Sequence, residues 1–129
     1  MSLPLSLIEA RTELNETNDC TVMALSIACS VTYREAHEAL KEAGRPHQDG
    51  CCMNTQLAAL ISLGRTLKRV DIPKAKTMIS LGRTLPSRGI FWAYTSKRRH
   101  VAACRGGVVL DWSANTRYRV QEVYRVVKL

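Results

Sequence analysis

The chain has 129 residues, 46% of them hydrophobic, and its 19 basic residues outweigh 11 acidic ones for a formal charge of +8. That length suits one domain with one core. With no run of about 18 apolar residues, no membrane span is expected, and residues 1–10 lack the basic head and clean cleavage site of a secretory signal.

The first strong element is at 20–30. Val22, Met23, Ala24, Leu25, Ile27, Ala28 and Cys29 make a helix apolar on almost every side, which is the pattern of a buried helix, with Asn18 or Asp19 as its cap. A second helix starts at a capping box, Thr32-Tyr33-Arg34-Glu35, buries Ala36, Ala39, Leu40 and Ala43, and stops at Gly44. After a loop at 45–53, a third helix is predicted from about Asn54, its cap, to Leu63, ended by Gly64. A short strand over 67–72 and a fourth helix from Pro73 to Gly82 follow. Beyond residue 89 the period becomes that of strands, at 90–94, 100–104, 108–112 and 118–127, with Gly106-Gly107 as a tight hairpin turn. Helices first and strands second predict an α+β domain over 1–129, with a helical half at about 15–85 and an antiparallel sheet at about 88–128.

Cys20 opens the apolar helix, where the positive end of the helix dipole favours thiolate. A thiol mostly protonated at pH 7 needs a base, the base needs an orienter, and donors must hold a developing oxyanion. His100 at a strand start fits the base, and Asp111 at the end of the next strand fits the orienter. A four-residue turn closing at Cys104 and Gly107 would set His100 opposite Asp111 on paired strands.

This set, with its surroundings, resembles the papain-like cysteine peptidase superfamily, and within it bacteriocin-processing peptidase domains and their small bacteriophage-encoded relatives. The resemblance is carried by Asn18-Asp19-Cys20 leading into Val22, Ala24 and Leu25, by the second helix from Tyr33 to Gly44, and by His100-Val-Ala-Ala-Cys with Gly106-Gly107-Val-Val-Leu-Asp111. It covers roughly residues 15–115. It implies a papain-like fold in which the nucleophile opens a central helix and the His and Asp lie on the sheet. Carried over, Cys20 is the nucleophile, His100 the general base and acid, and Asp111 the orienter. The family's oxyanion glutamine, six residues before the Cys, is here Leu14; Asn15 or Asn18, with the Cys20 backbone N–H, is the substitute donor. The Gly that often follows the Cys is here Thr21.

The function implied is a hydrolase, a thiol protease or related enzyme, cutting amide or isopeptide bonds of a protein or peptide through a thioester. Two alternatives stand beside it. One is a non-catalytic papain-like module binding a host protein. The other is a basic nucleic-acid binder, which the charge favours but the sparse aromatics and missing motifs do not. An odd count of five cysteines suits a reducing cytoplasm, the host's if the chain is phage-encoded.

No cofactor or metal is expected. His47, Cys51, Cys52 and Cys104 lack CxxC spacing, and the adjacent Cys51-Cys52 pair suits a zinc site poorly. A redox role for that pair is the other reading. Lys97-Arg98-Arg99 would draw an acidic partner toward the site. The heptapeptide Ile-Ser-Leu-Gly-Arg-Thr-Leu occurs at 61–67 and 79–85, read as two similar helix-to-strand exits, with an Arg65–Arg83 anion clamp as the functional alternative.

Overall fold

The computed structural model describes residues 5–14, 19–47, 52–71, 77–86, 88–95 and 100–129. Its elements, in order, are α1 (Leu5–Glu13), α2 (Cys20–Cys29), α3 (Tyr33–Glu42), α4 (Met53–Ser62), β1 (Arg65–Val70), α5 (Met78–Thr84), β2 (Ile90–Thr95), β3 (Val101–Arg105), β4 (Val108–Val109), a 3-10 turn (Trp112–Asn115) and β5 (Val120–Lys128). The class is α+β. The five strands form one sheet in the order β1-β5-β2-β3-β4, with every pairing antiparallel.

Helix α2 is the centre of the first core. Thr21 through Cys29 are all buried, packed with Tyr33, Ala36, Leu40, Ala59 and Leu60 of α3 and α4 on one side and with Trp92, Val101, Ala103 and Val126 of the sheet on the other. An all-apolar helix has no face to offer water, so helices or strands must close around it. The opposite sheet face has its own core. Phe91, Ala93, Ala102, Cys104, Val109 and Val123 pack there against Met78, Leu81 and Leu85 of α5. The strand alternation divides the residues, with Val101 and Ala103 facing α2 and Ala102 and Cys104 facing α5.

The α3 capping box forms as its sequence predicts: Thr32 Oγ1 accepts from Glu35 N–H, and Thr32 N–H donates to the Glu35 carboxylate. Other expectations need correction. Helix α1 has no counterpart in the sequence reading; Ala10 and Leu14 attach it to the α2 core. At α4 the cap position is Cys52, not Asn54, which lies inside the helix. Thr77 caps α5, its Oγ1 accepting from Ser80 N–H, and the helix runs through Gly82 to Thr84. The predicted start at Pro73 lies outside the described residues. Strand β1 falls within the supposed helical half and is an edge of the sheet, and β4 stops after two residues rather than at Trp112.

Candidate active site

Cys20 is the first residue of α2 and its only one not fully buried. The first bond of the helix ladder is Met23 N–H to Asp19 C=O, so the N–H groups of Cys20, Thr21 and Val22 precede it and gather at the thiol end. Asp19 occupies the cap position but makes no side-chain cap bond; its Oδ2 accepts from the Tyr33 hydroxyl at 2.7 Å, which holds the carboxylate toward α3. Asn18, the other proposed cap, lies outside the described residues.

His100 lies one residue before β3. Its carbonyl accepts from Thr95 N–H at 2.8 Å, continuing the β2–β3 ladder and fixing the backbone that carries the imidazole. The side chain is buried, and its Nε2 lies 2.5 Å from Asp111 Oδ2. A carboxylate has no proton to give, so Nε2 carries the hydrogen and donates. That leaves Nδ1 as the nitrogen for exchange with Cys20, whose ionised form the imidazole and the Val101 backbone N–H both favour.

The Val101 donor comes from the shortness of β4. Leu110 N–H donates to Ala103 C=O, and two residues further along β3 the same edge carries Val101 N–H. The chain has left the sheet by then, so β4 does not claim that N–H, which favours the ionised form of the nearby Cys20 thiol.

Asp111 is not on a strand. It is the cap of the 3-10 turn, and its Oδ2 accepts from Ser113 N–H at 3.0 Å and from the Ser113 hydroxyl as well as from His100. The hairpin register also differs from the predicted one. Cys104 pairs with Val109 and Arg105 with Val108, so the turn is the two-residue Gly106-Gly107 with φ of 63° and 75°, and His100 is not directly opposite Asp111. The slip is two residues, which is one strand period, so it leaves each side chain on its predicted face. The 3-10 turn then brings Asp111 back to the imidazole.

These contacts set the protonation of the pair. Burial is the largest influence on the Cys20 thiol and opposes ionisation. The His100 hydrogen bond, the Val101 N–H, the imidazolium charge and the Thr21 hydroxyl outweigh it, so the thiol ionises below its ordinary range. Burial likewise works against the imidazolium. The bonds to Asp111 and Cys20, and their charges, overcome it and push His100 up to about 9. The two shifts run in opposite directions, and each favours the charged form of its group, thiolate on Cys20 and imidazolium on His100. Cys29 and Cys104 contrast with it: burial pushes them up to about 11 and about 12, the charge of Asp111 adding to the effect on Cys104.

Cys20, His100 and Asp111 are thus brought together from three separated segments. Asn15, Asn18, Cys51 and residues 97–99 lie outside the described residues. His47 is elsewhere, its Nε2 at 3.1 Å from Leu14 C=O. Among the described residues no group of three His, Cys, Asp or Glu is placed to hold a metal ion. Arg65 and Arg83 form no clamp: Arg65 shares a sheet face with Leu67, toward α2, whereas α5 packs on the other face. Ser113 and the Val101 N–H escaped the sequence reading. The Asp-x-Ser spacing at 111–113 is the one signal that pointed to Ser113, as an Asx turn.

No protein-family model, curated protein or solved structure matches the chain. Among the described residues no helix is long and apolar enough to cross a membrane.

Proposed function

We propose that this protein is a thiol hydrolase of the papain-like kind, cleaving amide or isopeptide bonds in a protein or peptide. The observation that carries the reading is the buried His100–Asp111 hydrogen bond, whose imidazole favours the ionised form of the Cys20 thiol at the start of a buried helix. In this reading the Cys20 thiolate attacks the carbonyl carbon and the carbonyl electron pair moves to oxygen. The N–H groups opening α2 are the donors for that oxyanion, with Asn15 or Asn18 proposed as the side-chain donor. The His100 imidazolium gives its proton to the leaving nitrogen as the C–N bond breaks, leaving a thioester on Cys20. His100, now neutral, takes a proton from water; the hydroxide adds to the thioester, and the returning proton releases the thiol and the carboxylic acid. Asp111 keeps the Nε2 proton engaged and the ring aimed throughout.

The test is a peptide bearing a carbon electrophile at its C-terminus, with adducts located by peptide mass spectrometry. The expected result is modification at Cys20, abolished by C20A and strongly slowed by H100A. Modification spread equally over all accessible cysteines, or untouched by H100A, would refute the reading.

A further inference from the structure

Ser113 is wholly buried, and both of its donors, the backbone N–H and the hydroxyl, go to Asp111 Oδ2. His100 Nε2 reaches the same oxygen. A 3-10 turn needs one donor to its capping carboxylate, and the N–H at 3.0 Å supplies it. The hydroxyl is therefore surplus to the turn. A buried hydroxyl must find a partner or cost stability, and alanine at this position would carry no such demand. The arrangement has a geometric consequence. A carboxylate held by one turn N–H can still rotate about its Cα–Cβ and Cβ–Cγ bonds. A second donor from the same residue, arriving from a different direction, fixes where Oδ2 sits, and that oxygen's position sets the direction of the imidazole ring and so of the nitrogen facing the thiol.

We infer that Ser113 is a positioning residue of the Cys20–His100 pair, acting through Asp111 by fixing the oxygen to which the imidazole is tied. The inference rests on the proposed thiol chemistry and adds a fourth side chain to it. Ser113 touches neither substrate nor sulfur in this role; it determines how well His100 holds the thiolate. Among the described residues, the other ionisable groups near the pair include Asp19, next to Cys20 in the chain, Tyr33, which donates to Asp19, and Cys104, which feels the Asp111 charge, and none of these changes in the test variants.

The experiment follows iodoacetamide labelling of Cys20 across pH 5–9 by peptide mass spectrometry, in the native protein, S113A and S113C, with circular dichroism and thermal melting of each. In S113A the labelling midpoint is expected to rise by about half a pH unit, a roughly threefold loss of thiolate on the acid limb. S113C keeps the volume and a weaker donor, so its midpoint falls between the other two; its added thiol is buried and is read on a separate peptide. A purely structural serine would lower the melting temperature and leave the midpoint in place, and a folded S113A with an unmoved midpoint overturns the inference. If S113A does not fold, an S113C midpoint equal to the native one does the same. A native midpoint already at the thiol's ordinary 9.0 would instead refute the proposed function, so the two failures are distinguishable.

Discussion

Replacing Asp111 with asparagine keeps the shape of the side chain and an acceptor for Ser113 but removes the charge that faces His100. His100 is pushed from its ordinary 6.5 to about 9, and burial opposes that rise, so Asp111 and Cys20 together supply more than the net change. The net change alone corresponds to about 3 kcal/mol. The Asp111 hydrogen bond comes first among the influences that raise it, ahead of the Cys20 bond and both charges. D111N is therefore expected to lower the imidazole by about one unit or more, shifting the balance from thiolate–imidazolium toward thiol–imidazole by about tenfold. The assay is the rate of Cys20 alkylation against pH, read on its own peptide. The native protein should label at a lower pH than an ordinary thiol, and D111N should need about one pH unit more for the same rate. A folded D111N with the native pH profile would show that Asp111 does not hold the imidazolium, and the orienter role would be lost.

The remaining predictions concern the other thiols, the pH dependence of folding, and the residues ahead of α2. Under native conditions Cys20 and the exposed Cys52 should be alkylated while buried Cys29 and Cys104 are spared, and H100A should slow Cys20 without affecting Cys52; equal slowing of both would point to a global change. His100's raised value by itself gives stability present below 6.5 and lost as pH rises through about 9. The lowered Cys20 thiol by itself gives stability present above its ordinary 9.0 and lost as pH falls through its folded value. From the folded Cys20 value up to about 9 the two slopes oppose, because there folding moves one proton from sulfur to nitrogen rather than binding another. Native stability from this pair should therefore be nearly flat there, whereas C20S removes the opposing slope and keeps the part of the His100 rise that Asp111 supplies, so it should lose stability as pH rises above 6.5 in urea titrations; a flat C20S profile contradicts the raised imidazole. Y33F removes the buried hydroxyl that donates to Asp19 and should cost about 1–3 kcal/mol, seen as a lower urea midpoint; an unchanged midpoint would show that the bond contributes nothing.

What the sequence disclosed, it disclosed where one signal had one solution. The run from Val22 to Cys29, apolar but for Ser26, could only be a buried helix, and the Thr32–Glu35 box could only start one. The heptapeptide shows the opposite case. At 61–67 it ends α4 at Ser62, turns at Gly64 with φ of 79°, and enters β1 at Arg65. At 79–85 the same seven residues stay helical as far as Thr84, because α5 begins only at Met78 and must reach Leu85 to bury it with Leu81. Identical local propensities thus yield different structures once the burial demands differ. The site divides along the same line. Cys20, His100 and Asp111 were legible from residue type and chain order, but the hairpin register was not, since a two-residue slip preserves the face pattern. The seat of Asp111 on a turn, the Ser113 donors and the Val101 N–H depend on where β4 ends, which no periodicity records.

Strand β5 comes last in the chain yet lies between β1 and β2 in the sheet. During synthesis α2, which Cys20 opens, emerges early, but the β2–β3 pair beside His100 has no neighbour on its inner side until β5 inserts. Contacts of such long sequence separation form late. The sheet that carries His100 beside α2 is therefore complete only once its last strand is in place between the first two.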